Sequence, residues 1–548
     1  MSTTPVPADA GDLDVHVYDT TLRDGAQQEG MNLSVADKLA IAALLDELGV
    51  GFIEGGWPGA IPKDTEFFQR VAKEVDLSAE LAAFGATRKA GVRPHDDPQV
   101  RALLDSEAPV VTLVAKSDIR HVERALRTTG EENLAMISDT VAYLHDAGRR
   151  VFVDVEHFFD GYRFDSSYAL RAVAAAFGAG AEVVALCDTN GGMLPSWVHD
   201  IVTRVRAETS GRLGIHAHND SGCAVANSIA AVEAGARHVQ GCINGYGERT
   251  GNADILAVVA NLELKTGRQI LPEGNLSEIT RIAHAISEHT NIAPFARQPY
   301  IGASAFAHKA GLHASAIRID PDLYQHIDPR AVGNDMRMLV SDMAGRASIE
   351  LKGRELGFDL AGQGELLGRI TTRVKDAEAS GYTYDAADAS FELLLREEID
   401  GARVSYFQVE SWRAMAEHTG HSGEVTAEAT VKLHTGDQRV VSTGEGNGPV
   451  NALDHALRQA LLAAYPVLEE FELIDYKVRL LDSSHGTDAI TRVLIEMTDG
   501  QHSWNTVGVG PNILEASWEA LVESITYGLI HRDVLPTNAA GLASIPIG

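Results

Sequence analysis

The chain is poor in cysteine and has no long apolar run. Its three cysteines, Cys187, Cys223 and Cys242, show no CxxC spacing, which excludes a disulfide framework or a zinc ribbon and fits a reducing compartment. We expect them to be buried apolar residues. No stretch of about eighteen apolar residues occurs, and Met1–Asp14 lacks the basic and apolar segments of a signal peptide. We therefore predict a cytoplasmic protein that does not span a membrane.

Positive charge is also scarce. The sequence has 46 Lys and Arg against 77 Asp and Glu, a net charge of −31, which argues against nucleic acids and anionic membranes as partners. The acidic excess does not exclude an anionic substrate, because one arginine, a metal or a helix N-terminus can bind it locally. With 45% hydrophobic and 22% charged residues, the chain has the composition of a globular protein of two or three domains.

Short apolar runs alternate with amphipathic segments through the first half of the chain. This alternation predicts an α/β fold in which residues 1–275 form a closed (β/α)8 barrel, with an open doubly wound sheet as the alternative. The predicted strands are Val15–Asp19, Gly51–Glu54, Glu80–Gly85, Val110–Ala115, Arg150–Glu156, Glu182–Asp188, Leu213–His218 and His238–Asn244. Predicted helices between or after them include Val35–Leu48, Glu132–Ala147, Pro195–Glu208 and Ser221–Ala234.

The second half of the chain has a different pattern. Residues 276–380 are predicted to form a helical linker subdomain, and residues 381–548 a C-terminal α+β regulatory or dimerisation domain. Within it, Val431–Pro449 and Leu494–Pro511 each combine two strands, a turn and a GxGP sequence before a helix. Two copies of a ββα unit predict a pseudosymmetric domain that binds a ligand between its halves or serves only to dimerise.

The predicted carboxyl ends of the barrel strands, where barrel enzymes place their active sites, are polar. His216 and His218 are separated by one residue, so a strand presents both imidazoles on one face. Asp24 follows the first strand, which is separated from the seventh only by the eighth. The sequence therefore predicts a divalent metal site of nitrogen and oxygen ligands, suited to Mg²⁺, Mn²⁺ or Zn²⁺.

Other polar residues at these ends have more than one interpretation. Arg23 offers a planar set of donors for a substrate carboxylate or a developing oxyanion, or forms an ion pair with Glu54 or Glu156. Glu156 is a candidate base or a partner that holds Arg23, and Thr189 is a candidate donor to a carboxylate. Lys116 is interpreted as a solvated loop lysine.

Three motifs together resemble the signature of the 2-isopropylmalate, homocitrate and citramalate synthase family, within the DRE-TIM metallolyase superfamily. They are DTTLRDG at Asp19–Gly25, HAHND at His216–Asp220 and GERTGNA at Gly247–Ala253. The resemblance covers nearly the whole chain, including KAGLH at Lys309–His313 and the C-terminal repeat. It implies a metal-dependent acyltransferase that joins acetyl-CoA to a 2-oxo acid in a Claisen-type condensation.

The resemblance also implies roles for individual residues. Asp24, His216, His218 and Asn252 would hold a divalent metal that chelates the 2-oxo acid, and Arg23 would stabilise the alkoxide. Glu156 and Thr189 match substrate-binding positions. His313 and Tyr324 match residues that enter the neighbouring protomer's active site and take part in deprotonating acetyl-CoA. We therefore expect Arg23, Glu156, His313 and Tyr324 to be catalytic and the protein to be a homodimer.

Two segments bear on the substrate. Val155–Tyr162 and Gly55–Gly59 resemble the subgroup of the family that uses pyruvate, and the bulky Phe158 and Phe159 fit a small pocket. We therefore expect (R)-citramalate as the product, in isoleucine biosynthesis, with 2-oxoisovalerate and leucine biosynthesis as the alternative. The effector at the C-terminal domain would be isoleucine, or leucine in the alternative.

Two other classes fit the sequence less well. The related hydroxymethylglutaryl-CoA lyases carry a reactive cysteine after the eighth strand. Here Gly245–Arg249 has none, and Cys242 is placed within the strand. An amino-acid sensor with an inactive barrel would have lost Arg23, Asp24 or one histidine, and all are present.

Overall fold

A computed structural model of the chain describes residues 14–418, 425–481 and 489–537. Of the N-terminal stretch Met1–Asp14, only Asp14 lies within these residues. Cys187 and Cys242 are buried, Cys223 is partly exposed, and all three are free thiols. Among the described helices, none is long and apolar enough to cross a membrane. The cytoplasmic location stays a prediction.

The first half of the chain forms a closed barrel of eight parallel strands. The strands are β1 (His16–Asp19), β2 (Phe52–Gly56), β3 (Glu80–Ala86), β4 (Val110–Lys116), β5 (Arg150–Glu156), β6 (Val183–Asp188), β7 (Arg212–Ala217) and β8 (His238–Gly241). Closure is visible at Tyr18, which pairs with Phe52 of β2 on one side and with Gln240 of β8 on the other. The barrel prediction is confirmed, and the open-sheet alternative is wrong.

Helices follow the strands and cover the outside of the barrel. They are α1 (Val35–Leu48), α2 (Pro62–Glu74), α3 (Pro98–Asp105), α4 (Ile119–His121), α5 (Gly130–Asp146), α6 (Phe158–Phe164), α7 (Ser166–Gly178), α8 (Pro195–Glu208), α9 (Ala224–Glu233), α10 (Ile255–Thr266) and α11 (Ile279–Thr290). The bounds of α1 match the prediction because its ends carry strong local signals. Ser34 and Asp37 form a capping box, and Gly49 ends the helix at a φ of 87°.

The amino end of the barrel is filled by side chains. Tyr18, Phe52 and Phe152 pack together there with aliphatic residues from neighbouring strands, and all are almost fully buried. His16 and His238 lie beside this cluster, with ring centroids 6.0 Å apart. Because this end is closed by packed rings, the open cavity of the barrel lies at the opposite, carboxyl end.

The chain forms two compact units, and the barrel unit extends to Phe306 and includes Ile327–Asp335. The second unit begins with β9 (Ala307–His308), α12 (Gly311–Ile317), β10 (Arg337–Met338), α13 (Arg346–Glu355), α14 (Gly364–Ala379) and α15 (Asp388–Asp400). Its helices α13 to α15 share a small apolar core that includes Ile349, Ile370 and Phe391. The division at residues 275 and 380 stays a prediction.

The rest of the second unit contains the predicted repeat. Its first half consists of β11 (Gln408–His418), β12 (Val425–Thr435), β13 (Gln438–Gly446) and α16 (Pro449–Leu462). Its second half consists of β14 (Glu472–Leu480), β15 (Thr491–Thr498), β16 (Ser503–Gly510) and α17 (Ile513–His531). Each half is a three-stranded antiparallel sheet with one helix. The duplication is present, with one strand more per copy than predicted.

The alignment of the two copies also differs from the prediction. Gly436 and Gly500 lie at positive φ in the hairpin turns of the two copies. The spacing between them equals the spacing between Gly444 and Gly508. A Cβ at Gly444 would lie 2.4 Å from the backbone nitrogen of Ala456 in α16, and one at Gly508 would lie 2.0 Å from a backbone oxygen of α17. Both glycines therefore allow the helix to approach its sheet. The two GxGP sequences are two residues closer together along the chain than the members of these glycine pairs.

Candidate active site

Three predicted ligands lie together at the carboxyl end of the barrel. Asp24 Oδ2 is 3.3 Å from His216 Nε2 and 3.9 Å from His218 Nε2, and the two Nε2 atoms are 3.2 Å apart. All three side chains are buried, and their ligand atoms converge closely enough to hold one metal ion. Strand order explains the arrangement, because Asp24 follows β1, His216 lies in β7 and His218 directly follows it, with β8 between β1 and β7.

Hydrogen bonds orient His216 within this cluster. Its Nδ1 lies 2.9 Å from Gln240 Oε1, and Gln240 Nε2 donates to Asp154 Oδ1 at 2.8 Å. Since the Gln240 oxygen can only accept, Nδ1 carries a proton, and in the neutral imidazole Nε2 keeps the lone pair that can bind a metal. Such a partner for the far nitrogen is typical of metal-binding histidines.

Charge differs sharply within the cluster. Burial opposes ionisation of Asp24, but Arg23 and the two histidines outweigh it and hold the pKa of this carboxyl well below its usual range. Burial also opposes protonation of His216, and Asp24 more than compensates and raises its pKa. Burial and His216 lower the pKa of His218 to about 4. The cluster therefore contains a carboxylate and a neutral imidazole, both of which can bind a cation.

Asn252 offers a further ligand beside the histidines. Its backbone bridges that of His218, and its Nδ2 donates to the Tyr246 carbonyl at 3.0 Å. Its Oδ1 is buried without a hydrogen-bond partner. Gly247, at a φ of 143°, makes this position possible, because a Cβ there would lie 2.3 Å from the Asn252 amide nitrogen. A buried, unpaired amide oxygen fits a divalent metal, which would satisfy it.

Arg23 lies next to the cluster, and Glu54 and Phe84 hold its side chain in place. Its Nε donates to Glu54 Oε2 at 2.6 Å, Nη1 is 3.5 Å from Asp24 Oδ2, and its guanidinium lies over the Phe84 ring at 3.7 Å. Glu54 is fully buried and also accepts from the Tyr18 hydroxyl at 2.8 Å. The ion pair with Glu54 is therefore present, and it orients a cationic donor beside the candidate metal site.

These residues border a barrel-mouth cavity of about 630 Å³. Its lining includes Arg23, Asp24, Trp57, Phe84, Val114, Lys116, Met136, Asp154, Glu156, Thr189, His216, His218 and Arg249. Phe158 and Phe159, which were expected to narrow the pocket, are instead fully buried in the core. They belong to α6, which begins directly after β5 and directs both rings between barrel and helix. The argument for pyruvate from their size is therefore wrong.

Thr189 lies at the wall of this cavity, as predicted from its position after β6. Its hydroxyl oxygen accepts from the backbone N–H of His157 at 2.8 Å, so the hydroxyl proton is available to another acceptor. Its carbonyl accepts from Arg249 Nη2, and Arg249 in turn pairs with Asp220 at 2.8 Å. Thr189 is thus held as a donor at the cavity wall.

The chain matches three family models along its length. Residues 14–286 match the HMGL-like family, residues 300–381 the homocitrate synthase post-HMGL domain-like family, and residues 385–529 the LeuA allosteric (dimerisation) domain.

Among curated relatives, an (R)-citramalate synthase of Streptomyces coelicolor is 63% identical over 524 residues, covering 95% of this chain and 98% of the relative. The chain belongs to the (R)-citramalate synthase family. A second family member, from Aquifex aeolicus, is 47% identical and covers 94% and 98% of the two chains.

Membership of the citramalate synthase family confirms the predicted class of enzyme. A 2-isopropylmalate synthase of Enterobacter sp. is 31% identical, with 93% of this chain and 94% of the relative covered. The alternative assignment therefore has only a distant relative behind it.

Glu156 has a different partner from the one considered in the sequence. It does not hold Arg23, which pairs with Glu54; it forms an ion pair with Lys116 of β4. Lys116 is not a solvated loop lysine, since it lines the cavity with only 24% of its side chain exposed. Its pairing follows from the strand register, in which Lys116 lies directly opposite Glu156.

His313 and Tyr324 lie in the second compact unit. Their rings stack with centroids 4.1 Å apart, which brings the two predicted catalytic side chains together. Around them, Leu312, Ile319 and Leu323 are 74%, 80% and 59% exposed. Apolar side chains exposed to this degree and close in sequence are typical of a surface that another chain covers.

Two residues of the candidate site in this citramalate synthase family member were given no role from the sequence. Gln240 orients His216, and Lys116 pairs with Glu156 inside the cavity. A period of two along β8 places Gln240 on the inner face of the barrel, and the same period places Lys116 inward on β4. That periodicity was the available signal for both.

Proposed function

We propose that this protein condenses acetyl-CoA with pyruvate to form (R)-citramalate and CoA. The observation that carries the proposal is the buried convergence of Asp24, His216 and His218 beside Arg23, in a chain so similar to named citramalate synthases. Mg²⁺ or Mn²⁺ suits these nitrogen and oxygen ligands, with Zn²⁺ as the alternative. Asp24, His216, His218 and Asn252 would hold the ion.

The residues around the candidate metal site act on different groups of the 2-oxo acid. When bound, the metal would polarise the keto group as a Lewis acid and orient the substrate. Arg23, fixed by Glu54, donates to the keto oxygen as negative charge develops on it. Thr189 donates its hydroxyl proton to the substrate carboxylate. Each donor is in place before the substrate arrives, so little reorganisation opposes the reaction.

Acetyl-CoA must lose a weakly acidic methyl proton, which requires a positioned base. Glu156 faces the cavity and is the candidate within the barrel. His313 and Tyr324 would complete the site from a neighbouring protomer and take part in the same proton transfer. Their exposed apolar surroundings and the match to a dimerisation domain support a homodimer. Hydrolysis of the CoA thioester then makes the condensation irreversible.

The first experiment tests the substrate. Purified protein is mixed with acetyl-CoA and Mg²⁺ or Mn²⁺, and release of the CoA thiol is recorded with pyruvate, 2-oxoisovalerate, 2-oxobutyrate and 2-oxoglutarate in turn. We expect the highest kcat/KM with pyruvate. A preference for 2-oxoisovalerate would favour isopropylmalate synthesis, and no release with any of the four would contradict the condensation.

A second experiment tests whether His313 acts across a subunit interface. His313→Ala should lower turnover strongly while leaving metal content intact, and His216→Ala should abolish turnover. Chains with the two substitutions, co-expressed with different tags, give mixed dimers in which one barrel is intact and receives His313 from its partner. We expect about half of the unmodified activity per dimer. Inactive mixed dimers would place His313 in its own chain's site, and unchanged turnover of His313→Ala alone would place it outside the mechanism.

We also propose isoleucine, the product of the pathway, as the effector of the C-terminal domain. Support comes from the match of residues 385–529 to an allosteric domain. Inhibition by isoleucine and not by leucine, measured by thiol release with pyruvate, is the expected result. Inhibition by leucine alone would contradict it.

A further inference from the structure

The cations around the barrel-mouth cavity differ in where their partners lie. Arg88 is held by Glu132 and Asp139, which are not among the residues lining the cavity. Arg249 is held mainly by Asp220 at 2.8 Å, with Glu248 of the cavity lining 3.9 Å away. The short partner of Arg23 is the buried Glu54, and Asp24 of the lining is farther away, at 3.5 Å. Lys116 pairs instead with Glu156, and both side chains line the cavity, with 24% and 26% of their surfaces exposed. A substrate that enters can therefore reach both groups of this pair.

The backbone on either side of the pair is fixed. Asn133 Nδ2 donates to the Lys116 carbonyl at 2.8 Å, and the Ser117 hydroxyl donates to the Glu156 carbonyl at the same distance. Lys116 and Glu156 are direct partners in the register of β4 and β5. The two functional groups therefore stay side by side.

This arrangement matches the geometry of a thioester that is losing a methyl proton. The methyl carbon and the carbonyl oxygen of an acetyl group are attached to the same carbon. A base for the methyl group and a donor for the oxygen must therefore lie next to each other. A carboxylate and an ammonium group on adjacent strands meet this requirement, and a fixed donor aimed at developing charge is the larger source of rate enhancement.

We infer that Lys116 is a catalytic residue, whose ammonium group binds the thioester oxygen of acetyl-CoA and stabilises the enolate. The inference rests on the proposed condensation. The methyl C–H bond breaks, its proton passes to the carboxylate of Glu156, and the electron pair moves onto the carbonyl oxygen. Negative charge thus moves from one neighbour of Lys116 to another, and the ammonium group remains paired throughout without giving up a proton.

The test compares Lys116→Met, Lys116→Arg and, as a matched control, Lys73→Met on the outer helix α2. In the methionine variant at 116 we expect turnover to fall about 10²-fold, with metal content and KM for pyruvate unchanged. The acidic limb of kcat/KM for acetyl-CoA should move to higher pH, because a carboxylate without its ammonium neighbour has a higher pKa. Lys116→Arg should keep the limb in place, and Lys73→Met should match the unmodified enzyme.

Other titratable groups near Glu156 are the same in every variant. His157 Nε2 lies 4.0 Å from Glu156 Oε1, His121 stacks on His157 at 3.8 Å, and Asp154 lies on the same strand. Burial is the main cause that lowers the pKa of His157 to about 4, so it is neutral near pH 7. Besides burial, Lys116 also lowers the pKa of His157 and of His121. Because Lys116→Arg keeps this positive charge, a limb that moves only in Lys116→Met reports on the charge at position 116.

Unmodified turnover or an unmoved limb in Lys116→Met would overturn the inference while leaving the proposed function standing. If that variant does not fold, as judged by circular dichroism, Lys116→Gln gives the same comparison. Absence of thiol release by the unmodified enzyme with pyruvate would instead overturn the proposed function, and the inference with it.

Discussion

The barrel contains two buried pairs of histidines, one at each end, with opposite surroundings. His216 and His218 have ring centroids 5.1 Å apart at the carboxyl end, and His16 and His238 have theirs 6.0 Å apart at the amino end. The first pair faces the carboxylate of Asp24. The second is surrounded by cations and aromatic rings, and His16 contacts Arg212.

The neighbours, more than the histidines, decide what each pair can do. Asp24 raises the pKa of His216 against the effect of burial, which shows that the site favours positive charge. At the other end, burial together with Arg212 lowers the pKa of His16 to about 4, and burial with His16 holds that of His238 well below its usual value. Positive charge is therefore favoured at one end and disfavoured at the other.

The largest expected effect comes from a comparison in which one histidine of each pair is replaced in turn. His216→Ala should lose divalent metal and all measurable turnover, because only Asp24, His218 and Asn252 would remain to bind the ion. His16→Gln should retain both, since the amino-end pair binds no cation. Atomic emission analysis after dialysis against Mn²⁺ checks the metal, and thiol release checks the activity. Metal retained by the alanine variant would remove His216 from the ligand set.

A smaller effect is expected when Gln240, which orients His216, is replaced. Gln240→Leu removes the acceptor for its Nδ1 proton, and we expect Mn²⁺ affinity to fall about 10- to 100-fold. Gln240→Glu keeps an acceptor oxygen and should bind Mn²⁺ more tightly than the leucine variant. Titration calorimetry on the dialysed protein measures both. Equal affinities for the two variants would show that the hydrogen bond does not matter to the site.

The smallest expected effect is the contribution of the amino-end histidine pair to the pH dependence of the free energy of unfolding. The pKa of His16 is about 4 in the folded protein, against about 6.5 for an unfolded chain. As pH falls through this window the unfolded state binds a proton first, so His16 lowers the free energy of unfolding by at most about 1.4 kcal/mol per pH unit.

His16→Gln lacks this contribution. The difference in unfolding free energy between it and the unmodified protein should therefore shift in its favour from pH 6.5 to 4. Urea unfolding followed by circular dichroism at several pH values measures this difference. A difference that is constant with pH would contradict the pKa of His16.

The regularity of the barrel made it predictable, whereas the repeat was only partly so. The bounds of Arg150–Glu156 match the structure because β5 is a buried run of β-branched and aromatic residues between clear turns. The strands Gln408–His418 and Glu472–Leu480 were missed, and most of their side chains are exposed. In the second strand the signal was present, because apolar and charged residues alternate strictly from Ile474 to Leu480. Pro449 and Pro511 suggested an alignment of the two copies that the hairpin and packing glycines contradict.

Asp24, His216 and His218 were readable because they lie at the ends of strands whose order in the barrel is fixed, whereas Asn252 was implied only by the resemblance to the family. Glu54 was one of two candidate partners of Arg23, but Lys116 was not predicted as the partner of Glu156, since sequence does not reveal which side chains of neighbouring strands lie opposite each other. The orientation of Phe158 and Phe159 depended on an immediate change from strand to helix after His157, which has a positive φ of 59°. A short polar turn gives no sign of that change in the sequence.

The pairing of β1 with β8 has a consequence for the synthesis of the chain on the ribosome. Asp24 leaves the ribosome early, but β1 has no partner on one side until Gly241 has been translated. At typical elongation rates that interval is roughly 10 to 45 s, during which the unpaired edge of β1 is open to wrong association. Slow translation or chaperone binding within residues 20–241 is therefore expected to affect the yield of native enzyme more than the same change in the C-terminal domain.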